Sequence, residues 1–230
     1  MAEFSDDAVL SDPAYRAAAI DLLAAIAYGE LSAFERLVND AKLAPRLSDR
    51  IALERMAAVQ FAAVDPLLDR IVELGSKPTE ALAPFEAAFD GFHEATAPAD
   101  FLEGLVKAFV GDALAADFYR EIAILLDDKT RTLVAESLHR EGQTDFIVSR
   151  VREAIAEEPK IAGRLALWAR RLMGEALAQA QHVAAERDAL TGLLAGGENR
   201  PGLDLASLGA MFVRMTELHK ARMEALGLEP

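Results

Sequence analysis

The chain contains no cysteine, which excludes structural disulfides, thiolate metal sites and cysteine nucleophiles. Aromatic residues are only 7%, while hydrophobic residues reach 52%. Alanine supplies much of that fraction, a composition suited to close-packed helices rather than to strands with their β-branched and aromatic preference. Positive charge is also scarce. Against 38 Asp and Glu stand 24 Lys and Arg, a formal net charge of −14, so the average field repels phosphate backbones and anionic lipid, and a nucleic-acid partner would need a local basic patch. No glycine-rich phosphate loop, nucleophile elbow or Ser-His-Asp arrangement is present. The opening MAEFSDDAVLSDPAYR lacks the basic flank and apolar run of a secretory signal,. The apolar stretch AAAIDLLAAIAYGELSAF is interrupted by Asp21 and Glu30,. Neither export nor a membrane-spanning helix is expected, and a cytoplasmic location is.

What is present is helical periodicity. With 230 residues, the chain is long enough for one large domain, and a single all-α domain over residues 1–230 is expected, with a core bundle at 12–157 and covering helices at 159–226. Asp12 and Pro13 read as the N-cap and first turn of a helix running to about residue 42. Its stripe of Ile20, Leu23, Ala27, Glu30, Phe34 and Leu37 faces a core,. Ser48 reads as the cap of a second helix that stops at Gly75 and is apolar nearly all round, with Leu53, Met56, Gln60, Ala63, Val64, Leu67 and Ile71 as its best stripe,. That pattern places it in the bundle interior. Residues 75–100 form a proline-punctuated crossover holding one short helix. Asp100 and Glu103 resemble a capping box and open a third helix with Leu105, Asp112, Tyr119 and Ile122 on one face,. Asp127 and Asp128 turn the chain into a fourth helix, reaching about residue 157 with Gly142 as a kink. A fifth covers the bundle over 159–188, LLAGGENRPG reads as a linker, and a last helix spans 205–226 up to Gly227,. The fold expected is a four-helix bundle of two helical hairpins joined by a long crossover, with two additional C-terminal helices.

Sliding the first hairpin over the second by 82 positions lays AYGELSAFE on FVGDALAAD, so Gly29 matches Gly111, Glu30 matches Asp112 and Ser48 matches Thr130. Each copy puts a carboxylate in mid-stripe. A buried carboxylate must be paired, protonated or metal-bound, because left bare it costs several kcal/mol.

Two hairpins with inward acids resemble the ferritin-like di-metal carboxylate bundles, in which two helices each supply a Glu and the other two a Glu-x-x-His pair. Counting about 12 residues from each carboxylate to its hairpin turn and back gives the facing level on the return helix. It holds Gln60 with Ala63 in the first hairpin, and Arg140 with Gln143 in the second. Neither pair contains an acid or a histidine. Glu136 with His139 does match Glu-x-x-His, one turn nearer the Asp127 corner, and the corresponding place in the first hairpin is Glu54 with Ala57. Glu30, Glu54, Asp112, Glu136 and His139 therefore make a second, shifted ligand set. Arg140 pointing inward would pair with Asp112 or Glu30 and take over the charge balance of a lost metal; as the alternative it snorkels to solvent.

The segments GELSAFERL, LVKAFVGDALAADFYREIA, LALWARRLMGEALAQAQHVAAERDAL and HKARMEALGL make the chain similar, over nearly its full length, to ferritin-like proteins related to tRNA nucleoside hydroxylases, the MiaE-like family. That resemblance implies a ferritin-like fold and a carboxylate-bridged di-iron cofactor activating dioxygen, and it does not exclude a nucleic-acid partner, which the net charge makes unexpected. Carried over by position, the family pattern keeps Glu30 and Asp112, while Gln60, Ala63, Arg140 and Gln143 stand where acids and histidines are expected. The function expected is a ligand-depleted ferritin-like protein with no cofactor and little iron-oxygen chemistry. Its rivals are an active di-iron oxygenase on the shifted set and a metal-free helical ligand-binding module. His182 with Glu175 and Glu186 reads as a solvated ion-pair surface, and His93 and His219 carry no assigned role. The apolar face of the last helix suggests a homodimer.

Overall fold

The structure, a computed structural model, describes residues 6–138, 143–196 and 202–230, among which there is no strand. The helices are α1 (Asp6–Ser11), α2 (Pro13–Asp40), α3 (Leu47–Ala62), α4 (Val64–Glu73), α5 (Pro78–Leu82), α6 (Glu86–Ala95), α7 (Phe101–Ala123), α8 (Asp128–Ser137), α9 (Gln143–Glu157), α10 (Ile161–Glu186), α11 (Asp188–Ala195) and α12 (Leu205–Leu226). Hairpin α2 with α3–α4 packs on hairpin α7 with α8–α9, through α2 against α7 and α4 against α8. The crossover α5–α6 lies along α2 and α10. Helices α10 and α12 cover α7, and α11 covers α2.

Aspartate side chains cap the starts of α2, α7, α8 and α12. Asp12 accepts from the Ala14 N–H at 2.9 Å, Asp100 from Glu103 at 2.9 Å, Asp127 from Thr130 at 3.0 Å and Asp204 from Ser207 at 2.7 Å, each satisfying an amide that the helix itself leaves without a partner. At the far end Gly227 takes φ 79°, the left-handed turn that ends α12,.

Several expectations need correction. Ser48 is not a cap: α3 begins one residue earlier, after extended Arg46, which makes no side-chain cap bond. The second helix is two, because Pro66 has no N–H for the Ala62 carbonyl and its ring crowds that turn; the break falls at Ala63. The crossover holds two short α-helices and a 3-10 turn rather than one helix. The segment read as a linker begins inside α11, where Leu193 is buried in the core, and Arg187 just ahead of it binds Asp21 (Nε to Oδ2, 3.0 Å). The interior helix is also not the one expected. α3 buries Asp49, Leu53, Met56, Ala57 and Gln60 but exposes Ile51, Val59 and Phe61, while α2 is buried on most sides. The crossover and α11 wrap the side of α2 that a bare bundle would leave wet. The helix through residues 13–43 is long and apolar enough to cross a membrane, but 67% of its most apolar window is buried inside the protein.

The apolar core is in two parts. One gathers Tyr15 to Ala27 of α2 with Leu67, Ile71, Phe85, Ile122, Val134 and Leu193. The other begins at Leu37 and gathers Leu53, Leu105, Val110, Ile147, Trp168, Leu172 and Leu226. Where the two parts meet, from Glu30 to Asp40 of α2, a polar layer crosses the bundle.

Candidate functional site: a polar layer in mid-bundle

In this layer α2 supplies Glu30, Ser32, Arg36 and Asp40, a buried run on a helix otherwise rich in alanine and leucine. Helix α3 supplies Gln60, α7 supplies Lys107 and Asp112, and α6 supplies His93. Arg36 Nη2 donates to Asp112 Oδ1 at 2.9 Å, and Gln60 Nε2 donates to Asp112 Oδ2 at 3.1 Å. Both carboxylate oxygens are thus engaged by protein donors. Arg36 also lies 4.0 Å from Asp40, whose carboxyl is pushed up by burial against the pull of Arg36 and Lys107. Lys107 donates to the Thr96 carbonyl at 2.7 Å and stands over the Phe92 ring. Burial first, then repulsion from Arg36, brings its pKa down to about 7. His93 Nε2 lies 3.2 Å from the Ser32 hydroxyl; burial, then Arg36 and Lys107, brings its pKa down to about 3, so the ring is neutral at physiological pH,.

Of these groups Glu30, Arg36, Gln60, His93 and Asp112 face a cavity of about 420 Å³, whose walls also include Gly29 and Tyr119. The Tyr119 hydroxyl stays protonated, held so by burial and then by the Glu30 charge. At the cavity's rim Arg222 grips Asp117 through two hydrogen bonds of 2.6 and 2.9 Å.

The two carboxylates matched by the internal repeat, Glu30 and Asp112, line this one cavity, and Gln60 joins them as the level count required. Ala63 does not; it sits in the turn where α3 gives way to α4. Arg140 and His139, together with Gly142, lie outside the described residues, as does the Gln143 side chain. Among the described residues, Glu54 and Glu136 of the shifted set do not reach this layer. Glu54 is exposed and held by Arg50 at 2.8 Å, because six residues before Gln60 is about 240° round the helix. Glu136 is likewise exposed on α8. His182 is also exposed and lies 3.3 Å from Glu186.

Arg36, His93 and Lys107 are the residues that sequence reasoning missed. Ser32, Arg36 and Asp40 recur at i, i+4 beside the Glu30 stripe, a signal lost when only one face of α2 is counted as buried. His93 carried no signal, since only the docking of the crossover against α2 brings it inward.

The donor chemistry decides whether this layer suits an iron pair. Such centres use about six carboxylate and imidazole ligands. Here the cavity offers Glu30 and Asp112. The described neighbours of Asp112 are an amide and a guanidinium, which occupies the carboxylate and opposes a nearby cation. Among the described residues no three His, Asp or Glu side chains gather into a metal-ion site. The described residues do not fit a di-iron centre. What they provide is an enclosed set of hydrogen-bonding groups around a cavity.

No curated protein matches the chain. The family model described as "Ferritin-like domain, actinomycetes" matches residues 13–197, from the first turn of α2 to just beyond α11, and so takes in both hairpins, the polar layer and the covering helix α10. With two hairpins, a long crossover and paired mid-bundle carboxylates already in place, the chain belongs to this actinomycete ferritin-like domain family.

Proposed function

We propose that this protein descends from the hydroxylase-like, MiaE-like branch of ferritin-like proteins and works without their di-iron centre, as a metal-free binding protein. One observation carries the reading: Arg36 holds Asp112 at 2.9 Å in the middle of the bundle, so a guanidinium does the charge balancing that a metal would do. A buried guanidinium is a durable partner for a carboxylate, being always charged and able to donate several hydrogen bonds in fixed directions. Iron bound next to it would have to displace that partner and also tolerate its charge. A cytoplasmic location agrees with the absence of cysteine, and the net charge of −14 opposes a role on RNA.

Anaerobic addition of ferrous iron, followed by oxygen exposure, elemental analysis and optical or Mössbauer spectra, tests the reading. Substoichiometric iron and no oxo-bridge signature are expected. A tightly held iron pair with that signature would overturn it and restore the shifted ligand set. Helix α12 exposes Leu205, Phe212, Val213 and Leu218, which supports a homodimer, checked by sedimentation at micromolar concentration.

A further inference from the structure

A second space lies beside the polar layer. It is a chamber of about 500 Å³ between α2, α6, α7, α10, α11 and α12, lined mainly by Leu, Ala, Phe, Met and Val side chains, with Gln179, Gln181, Thr191 and Thr216 as polar members of the wall. Its volume falls within the roughly 300–1,000 Å³ of small-molecule sites. Along both α7 and α10 its lining spans twelve residues, from Gly111 to Ile122 and from Met173 to Ala184, eleven steps or about 16 Å at 1.5 Å per residue. That length suits an extended hydrocarbon chain. The chamber and the polar cavity share Phe89, Phe92, Gly111, Ala115 and Tyr119 as walls. Of these, Phe89, Phe92 and Tyr119 are bulky, while Gly111 and Ala115, one turn apart on α7, bring almost no side chain to the shared wall.

The polar end of this path is selective. Gln60 is 1% exposed and spends its N–H on Asp112, while its Oε1 has no hydrogen-bond partner. A buried acceptor without a donor costs about 1–3 kcal/mol, so a ligand that donates to it is favoured. Glu30 and Asp112 on the same walls repel a ligand carboxylate, and an ammonium, though drawn to them, must shed the hydration of a full charge to enter. A neutral hydroxyl meets neither obstacle.

We propose that the two spaces together bind one neutral long-chain alcohol, its hydrocarbon lying in the apolar chamber and its hydroxyl passing Gly111 to donate to Gln60 Oε1. This names the ligand of the metal-free binding protein proposed above, and its test reads no metal.

The experiment is displacement of the fluorescent apolar probe N-phenyl-1-naphthylamine from the full chain by 1-hexadecanol, hexadecanoate and hexadecylamine. Hexadecanol is expected to displace the probe about tenfold more tightly than either charged analogue, the scale of one unmet buried hydrogen bond. Gly111→Leu, whose Cβ meets its nearest neighbour only at 3.9 Å, is expected to stay helical by circular dichroism and to lose hexadecanol binding by about tenfold or more. Gln60→Leu is expected to keep probe binding and lose the preference for the alcohol. The proposal is overturned if hexadecanol fails to displace the probe, if the acid or the amine binds as tightly, or if a helical Gly111→Leu protein binds hexadecanol unchanged. A chain that binds hexadecanol and also takes up an iron pair would overturn the metal-free reading and leave the alcohol site standing.

Discussion

Two buried polar clusters lie along α2, and they are built on different terms. At the corner where α7 turns into α8, Tyr15 donates to Asp127 Oδ2 at 2.8 Å, Arg70 donates to Asp127 Oδ1 at 3.1 Å and to the Thr130 hydroxyl at 3.0 Å, and Asp127 caps α8. All four side chains have partners. In the mid-bundle layer Arg36, Gln60 and Asp112 also pair, yet Gln60 Oε1 and His93 Nδ1 have no partner and a cavity adjoins them. A closed network serves the fold, since every desolvated group is repaid by a hydrogen bond. An incomplete one beside an open space keeps hydrogen-bonding capacity for something else.

The largest expected effect breaks the corner. Arg70→Met leaves the Asp127 charge buried without its guanidinium and should cost about 3–5 kcal/mol, read as a lower urea midpoint with an unchanged slope. Although burial opposes it, Asp127 titrates below its usual value because Thr130, Tyr15 and Arg70 favour the carboxylate. Its stabilisation is therefore present above the unfolded carboxylate pKa and lost as pH falls through the lower folded one. The same substitution in the middle layer should be milder. Arg36→Met should cost about 1–3 kcal/mol, because the Asp112 carboxylate borders the cavity and retains Gln60 as a donor. It should also raise affinity for divalent cations, measured by calorimetry.

Smaller still is His219, buried on α12 with neither ring nitrogen partnered. Replacing it by Leu removes two unmet polar atoms and should be neutral or stabilising by up to about 1 kcal/mol, seen as an unchanged or higher Tm. At neutral pH the smallest effect is that of His93. Its folded pKa of about 3 lies below its ordinary value of 6.5, so between those limits the unfolded chain binds more protons than the folded one, and stability falls on acidification. Denaturation midpoints across that window should drop more steeply in the wild type than in His93→Phe.

Much of this was legible in the residues. The capping residues Asp12 and Asp100, the turn at Asp127, the three- and four-residue spacing of apolar positions, and the repeat pairing Glu30 with Asp112 act locally or through periodicity. They therefore predict helices, the two hairpins and the level of the inward acids. Because a register count works on one helix at a time, it also found Gln60 opposite the carboxylates. It could not say which helix would be innermost. The Ser32, Arg36 and Asp40 run reads as a wet face until α6 and α7 close over α2, and Glu54 and Gln60 are equally plausible until α3 is rotated against α2. His93 enters the site only because the crossover folds back along α2.

By itself, then, the sequence determined an all-helical, cysteine-free bundle of two hairpins with one carboxylate per hairpin at matching depth, since helix capping, helical period and composition are properties of short segments. The tertiary structure alone decided that Arg36 holds Asp112, that Gln60 keeps a free acceptor, and that an apolar chamber opens beside them. Each of these depends on how helices far apart in the chain rotate and pack against one another, because desolvation, ion pairing and cavity shape arise only where side chains from different helices meet.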